Sequence, residues 1–217
     1  MLWVHIFGGL TGIVSGAVAF AAHKGGMLHR RSGIVFVFSM LVMSSTAILL
    51  ALLHQPGRGN VVAGTLTFYM VGTALITVRQ PRHYTRQIET IAMLAAFTLA
   101  FVRIGCGMFL HEDPRIPGGY PPSMYFFLGA AAASSAVEDM RMISAGGLTG
   151  IDRLKRHFRR MGVAMLVATI SFFLGQPQVF TGGPLEPVWI RAIPVILVVT
   201  TMVYWRIRLA RRPILAS

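Results

Sequence analysis

Histidine supplies the most versatile chemistry in this sequence, and the seven histidines form two groups relative to the long apolar segments. Neutral imidazole is the commonest metal ligand in proteins, and facing histidines inside a helical bundle hold b-type haem in membrane proteins. One group lies near one end of the apolar segments: His5, His54 and His111. The other group lies near the opposite end: His23, His29, His83 and His157. This pattern predicts an electron-transfer protein with one or two b-type haems.

The predicted ligands are an outer pair drawn from His5, His54 and His111, and an inner pair of His29 with His157. Arg30, Arg31 and Arg160 stand beside the inner pair, where guanidinium groups bind haem propionates through charge-assisted hydrogen bonds. His23 and His83 are weaker candidates because they lie in loops next to basic residues. The competing interpretation is that the histidines occupy helix ends for interfacial reasons, while the arginines set membrane topology.

Arg103 is a further candidate, because it lies inside an apolar segment, just before Gly105, Cys106 and Gly107. A charge at such a position costs about 3 kcal/mol on insertion scales, so the side chain is expected to face the bundle or a wet cavity. It would bind an anion or a propionate there, or donate to backbone carbonyls of a neighbouring helix.

The sequence lacks the hydrolase signatures His-Glu-x-x-His and Gly-x-Ser-x-Gly, a phosphate-binding glycine loop, and Cys-x-x-Cys. No catalytic residue is therefore predicted. The seven acidic residues fall near segment ends or in loops. That placement disfavours a proton-coupled transporter with a carboxylate at the membrane midplane.

The elements that must position these groups are membrane helices. Apolar residues make up 54% of the chain, charged residues 12%, and the mean hydropathy is +0.65, which excludes a soluble enzyme, a disordered chain and a disulfide scaffold. We predict an all-α membrane protein with a single seven-helix domain over residues 1–217. The predicted spans are Leu2–Ala22, Ile34–His54, Val61–Val78, Thr90–Leu110, Met124–Met142, Phe158–Gly175 and Trp189–Arg206.

Basic residues concentrate in alternate connections between these spans. One side would carry Lys24, Arg30, Arg31, Arg79, Arg82, Arg86, Arg141, Arg153, Lys155, Arg156, Arg159, Arg160, Arg206, Arg208, Arg211 and Arg212. The other side would carry Arg58, Arg115 and Arg191. The positive-inside rule then places the N-terminus outside and the C-terminus in the cytoplasm. The net charge of +13 follows from topology, so we expect a lipid bilayer as partner and no nucleic acid.

The first span carries Gly8, Gly12 and Gly16 at intervals of one helical turn. Small residues on one face let a neighbouring helix approach closely. No Lys or Arg precedes this span and Lys24 follows it, the reverse of a secretory signal, so we expect an uncleaved first helix.

Two stretches carry a resemblance to a known family. They are His23-Lys24-Gly25-Gly26-Met27-Leu28-His29-Arg30-Arg31-Ser32-Gly33 and Arg156-His157-Phe158-Arg159-Arg160-Met161-Gly162, the latter followed by Ser171-Phe172-Phe173-Leu174-Gly175-Gln176. With His5 and the Arg-rich end at Tyr204–Arg208, they resemble a bacterial integral-membrane family that carries only a domain-of-unknown-function label. The resemblance implies a bacterial cytoplasmic-membrane protein. It assigns no activity and no site residues.

The same two stretches also resemble each other. His29-Arg30-Arg31-Ser32-Gly33 and His157-Phe158-Arg159-Arg160-Met161-Gly162 share His, Arg-Arg, one residue and Gly, with one insertion. This internal similarity suggests a parallel repeat of spans one to three and five to seven, with the fourth span as connector. Against it, any inward loop of a membrane protein ends in basic residues.

Three hypotheses follow. The first is a b-type haem protein with a redox partner. The second is a small-solute transporter or channel built from two three-helix repeats. Its path would be lined by Arg103 and by polar residues of the third span, Thr65, Thr67, Tyr69 and Thr73. The third is a membrane accessory or sensor protein without chemistry of its own. Facing histidines at one depth would favour the first, and repeated halves would favour the second.

Overall fold

A computed structural model describes residues 1–54, 60–79, 85–109 and 122–211, and its regular structure is helical throughout these ranges. Seven α-helices follow one another along the chain: α1 (Leu2–Ala21), α2 (Met27–His54), α3 (Asn60–Arg79), α4 (Thr85–Phe109), α5 (Pro122–Ser144), α6 (Gly150–Phe173) and α7 (Val188–Ala210). A short 3-10 helix, Pro177–Val179, lies between α6 and α7. The predicted all-α class and the seven helices are confirmed.

Five of the described helices, α1, α2, α3, α4 and α7, are long and apolar enough to cross a bilayer. The protein is therefore a membrane protein. The remaining two helices carry their charges inside the helical segment, Glu138 and Asp139 in α5 and Arg153 to Arg160 in α6. Those charges lower the mean hydropathy of both helices.

The helix ends differ from the predicted spans mainly where basic residues extend an apolar run. Helix α6 begins at Gly150, whereas the sequence pattern predicts Phe158 as the first residue of that span. Helix α2 begins at Met27, whereas the predicted first residue is Ile34. Arg, Lys and Leu have high helix propensity, so the helices continue beyond the apolar residues that define a span. As a result, Arg153 and Arg156 lie within α6, although the sequence pattern assigns them to a loop.

Helix α3 occupies the centre of the bundle and packs against α2, α4, α5 and α6. The helical hairpins α1–α2 and α4–α5 pack beside α3. Helix α6 packs against α3, α1 and α7. One buried apolar cluster brings together side chains from four helices: Met40, Leu66, Met70, Leu128 and Ala164. This central position of α3 and α6 brings their polar side chains into the interior.

Glycines lie at the close contacts between helices. A Cβ added at Gly8 would lie 3.3 Å from the Ser39 carbonyl oxygen, and one at Gly12 would lie 2.8 Å from Met40 Sδ. One at Gly16 would lie 2.8 Å from the Phe36 ring. The predicted packing face of α1 is confirmed, because all three glycines contact α2.

The ends of α1, α3, α5 and α7 and the starts of α2, α4 and α6 lie together, and we call this the basic end of the bundle. His29 near the start of α2 bonds Ala19 near the end of α1, and Arg153 near the start of α6 bonds Thr77 near the end of α3. Lys24, in the α1–α2 connection, lies 4.9 Å from the centre of the Trp205 ring near the end of α7. The basic connections predicted to share one side thus meet at one end.

The proposed repeat of helices stays a prediction. Helix α1 packs along α2, and α5 packs along α4. The corresponding pair in a parallel three-helix repeat would be α5 with α6.

Candidate functional site

One face of α6 is polar and packs onto the end of α3. Arg153 Nη2 donates to the Thr77 and Val78 carbonyl oxygens at 3.0 and 3.1 Å. His157 Nδ1 donates to the Ala74 carbonyl oxygen at 3.1 Å. These residues lie three to four positions apart and therefore share a helix face. The last carbonyls of α3 lack intrahelical partners and carry partial negative charge, so cationic donors stabilise them.

Asp139 of α5 lies at the centre of this interface and is fully buried. Its Oδ2 accepts a hydrogen bond of 2.5 Å from the Tyr69 hydroxyl, in the middle of α3. Its Oδ1 accepts from Arg156 Nη2 at 2.7 Å and also from Arg160 Nη2. This carboxylate therefore has three donors, two of them cationic.

The two arginines that contact Asp139 are buried as well, with exposed fractions of 4% for Arg156 and 0% for Arg160. Arg160 also donates to the Thr73 hydroxyl and to the Ser135 carbonyl oxygen, the latter at 3.2 Å. Its guanidinium lies 5.0 Å from the centre of the Tyr69 ring. Most of its donors are therefore satisfied by α3 and α5.

Arg156 extends the cluster to a fourth helix. Its Nη1 donates to the Thr77 hydroxyl and lies 3.8 Å from Glu89 Oε1 of α4, whose side chain is 12% exposed. We call the following side chains the charged cluster: Tyr69, Thr73, Thr77, Glu89, Asp139, Arg156 and Arg160. Two carboxylates balance two guanidinium groups, which offsets much of the cost of burying each charge.

A second ion pair lies beside the charged cluster without belonging to it. Glu138 precedes Asp139 in α5 and contacts Arg159 of α6, with about a third of each side chain exposed (33% and 34%). Glu138 and Asp139 are adjacent in α5 and both form ion pairs with arginines of α6, but the first pair is partly exposed and the second is buried.

Three predicted haem ligands lie in described helices with described side chains, and each bonds a backbone carbonyl through Nδ1. His5 donates to Met43 at 3.0 Å, His29 to Ala19 at 3.0 Å, and His157 to Ala74 at 3.1 Å. When the imidazole ring is neutral, a donating Nδ1 leaves the lone pair on Nε2. His29 and His157 both lie near the basic end of the bundle.

Of the other outer candidates, His54 is not brought to the level of His5. The His5 ring contacts Met43 and Thr46 of α2. His54 lies two turns beyond Thr46 in the same helix, which separates their backbones by about 12 Å. His111, and His83 among the weaker candidates, lie outside the described residues.

The predicted propionate contacts divide into two kinds. Arg30 and Arg31 are exposed at the basic end. Arg160 is enclosed by the charged cluster, where Asp139 takes the place of an external anion. Arg160 as it stands is therefore not available to a propionate beside His157.

Arg103 of α4 packs over the Tyr125 ring of α5, with 5.3 Å between the guanidinium carbon and the ring centre. Its Nε is buried and has no hydrogen-bond partner among the described residues. The acidic residues Glu112 and Asp113, which follow α4 in the sequence, lie outside those residues. The side chain faces the α4–α5 contact, as expected for a charge inside an apolar segment.

Asp139, Glu89 and Arg156 were not predicted as site residues, whereas Tyr69 and Thr73 were predicted only to line a solute path. A signal existed, because Arg153, Arg156 and Arg160 recur at the period of one helix face and acidic residues end the preceding helix. That signal was attributed to topology. Nothing in the sequence indicates that this face of α6 turns inward.

The comparisons with known proteins add no family and no fold relative. No protein-family model, no curated protein and no solved structure matches this chain. The resemblance based on the His-Arg-Arg and Arg-Arg-Met motifs stays a prediction.

Proposed function

We propose that all seven helices cross a bacterial cytoplasmic membrane, with the N-terminus outside and the basic end in the cytoplasm. Helices α5 and α6 are less apolar because of charges that largely pair with each other, Asp139 with Arg156 and Arg160, and Glu138 with Arg159. Paired charges inside a bundle are tolerated in membranes, since each neutralises the other away from lipid. The basic residues at that end follow the positive-inside rule.

Cysteine labelling on either side of α6 tests this topology. In a Cys106→Ser background, Ala145→Cys lies before α6 and Leu185→Cys lies after it, and both positions are exposed. A membrane-impermeant maleimide added to intact spheroplasts is expected to label position 185 and to spare position 145. After lysis, both should react. Labelling of both positions in intact spheroplasts would contradict the proposal that α6 spans the membrane.

Within this topology, the chain acts as a carrier for a small charged solute, with the charged cluster as the binding site. The observation that supports this function is the full burial of Asp139 and Arg160 among α3, α4, α5 and α6. Ionisable groups inside a membrane bundle are costly, and they commonly mark solute and ion pathways. Four helices contribute to the charged cluster, so a solute that binds there would contact most of the bundle.

The position of the carboxylates near segment ends or in loops disfavours a proton-coupled transporter with a carboxylate at the membrane midplane. Asp139 is near the end of α5, yet it bonds Tyr69 in the middle of α3. Distance along one helix is thus a poor measure of depth in this bundle. The positions of the carboxylates in the sequence therefore do not weigh against a carrier.

Flux measurements on reconstituted protein test this function. Proteoliposomes are tested for uptake and exchange of isotope-labelled carboxylates, phosphate, amino acids and inorganic cations. We expect saturable, protein-dependent flux for at least one class. Absence of uptake and exchange for every class, with the protein inserted and folded, would refute the carrier function.

A b-type haem site between His29 and His157 is the second candidate function. Metal-ligating histidines usually donate the other ring nitrogen to a carbonyl or carboxylate, which fixes the ring and leaves the ligating nitrogen free. Both histidines have such a bond, and both lie near the basic end of the bundle. A haem held there would supply one-electron redox chemistry, with the exposed Arg30 and Arg31 near its propionates.

An absorption spectrum tests the haem hypothesis. Protein purified from haem-supplemented cells is expected to show a Soret band that sharpens on dithionite reduction, together with an α-band. His29→Ala and His157→Ala should each abolish the six-coordinate spectrum, whereas His5→Ala should preserve it because His5 lies at the opposite end of the bundle. A colourless preparation that stays colourless after haem addition would exclude this function.

A further inference from the structure

The donors around Asp139 form the contact pattern of a carboxylate-binding site. One oxygen accepts from two guanidinium groups, those of Arg156 and Arg160, and the other accepts from the Tyr69 hydroxyl. Guanidinium groups bind planar carboxylates through charge-assisted hydrogen bonds. The Asp139 side chain therefore occupies a position that any small carboxylate could fill.

The two arginines have donor capacity that the described residues do not use. Within that part of the chain, Nε of Arg156 and Nε of Arg160 have no hydrogen-bond partner, although both side chains are more than nine-tenths buried. Buried polar groups are normally satisfied, so each such atom calls for an explanation. Asp139 is their close counter-ion, with Glu89 further away at 3.8 Å from Arg156. The two unused N–H groups are donors for a carboxylate that differs from Asp139 in size and position.

We propose that the solute carried by this protein is a small carboxylate, which binds Arg156, Arg160 and Tyr69 in exchange for the Asp139 side chain. This inference rests on the proposed carrier function. When no solute is bound, the Asp139 carboxylate occupies the binding position and neutralises the arginines. A planar group matches the three donors, whereas a tetrahedral phosphate would leave further oxygens without donors in a buried site.

The carboxylate reaches this site from the basic end of the bundle. Glu89 is partly exposed there, whereas Asp139 and Arg160 are fully buried. Arg156 lies between them, because it contacts both Glu89 and Asp139. Movement of Arg156 away from Glu89 would therefore be the first step of entry.

Thermal unfolding in detergent tests the proposal with acetate as the probe. Sodium acetate is titrated against sodium chloride at equal ionic strength, with sodium phosphate as the tetrahedral comparison. We expect acetate to raise the Tm of the wild-type protein saturably. In Asp139→Ala, purified in acetate to fill the vacated position, the half-saturating concentration should fall at least tenfold. Glu138→Ala removes the neighbouring carboxylate and should leave the wild-type midpoint unchanged.

Tyr69→Phe keeps the test decisive if Asp139→Ala does not fold. Loss of the third donor should raise the acetate midpoint severalfold. Equal stabilisation by phosphate, or no saturable acetate effect in the wild-type protein and Tyr69→Phe, would overturn the carboxylate assignment. Flux of phosphate or cations would then show that the carrier function stands while the carboxylate assignment fails. Absence of flux for every solute would refute both the carrier function and the carboxylate assignment.

Discussion

Replacing Asp139 with asparagine is expected to lower the free energy of unfolding by about 3–5 kcal/mol, the cost of leaving buried charge without its partner. Asparagine has nearly the same shape, so the effect isolates the charge. Arg160 would lose its ionic partner, and Arg156 would retain Glu89 alone, at 3.8 Å. The measurement is equilibrium unfolding in mixed micelles, followed by circular dichroism.

Glu138→Gln is the matched control, because Glu138 is adjacent in α5 and also pairs with an arginine. Its pair is about one-third exposed, so the expected loss is at most about 1 kcal/mol. The double variant Asp139→Asn/Arg160→Met should be more stable than Asp139→Asn, since it removes the orphaned cation. Equal effects of Asp139→Asn and Glu138→Gln would show that the charged cluster is solvated and not buried.

Arg160→Lys is expected to reduce the flux of the carried solute by roughly ten- to hundredfold, while the protein remains folded. Lysine keeps the charge but lacks the planar fork of donors that contacts Asp139, Thr73 and Ser135. A hydrogen bond to a charged group contributes about 1.5–3 kcal/mol, which corresponds to that range of rates. The measurement is the initial rate of uptake into proteoliposomes at matched protein content.

The control for this variant is Arg159→Lys, one residue earlier in α6. Arg159 contacts Glu138 outside the charged cluster, so the initial rate should remain within about twofold of the wild-type rate. Equal loss of flux in both variants would mean that α6 needs its arginines for assembly. Unchanged flux in both would place the solute path elsewhere in the bundle.

The arrangement explains how a helix with many arginines is accommodated in the interior. Arg153 bonds carbonyls in the last turn of α3, His157 bonds a carbonyl one turn earlier, and Arg156 and Arg160 bond the carboxylate of α5. These three arginines therefore meet either the negative end of a helix dipole or a formal negative charge. A change at Asp139 would then be transmitted to α3, α5 and α6 together, which suits a site that must respond to an incoming solute.

The sequence by itself determined the class of the protein and the approximate positions of its helices. A long apolar run is a local property of the chain, because a helix satisfies its own backbone hydrogen bonds and needs no partner to be identified. The packing face of Gly8, Gly12 and Gly16 was predictable for the same reason, since their spacing defines one side of one helix. The basic connections likewise revealed which helix ends lie together.

Only the tertiary structure decided where the charges of α5 and α6 go. Asp139, Arg156 and Arg160 stand near the charged ends of apolar segments, where basic and acidic residues usually face water or headgroups. Their burial depends on α6 packing against α3, whose Tyr69, Thr73 and Thr77 hydroxyls supply partners that are remote in sequence. Likewise, the level of His5 relative to His54 depends on how α1 lies along α2. Such pairings are not encoded in the composition of either helix, because the free energy of a buried charge is set by its neighbours in space.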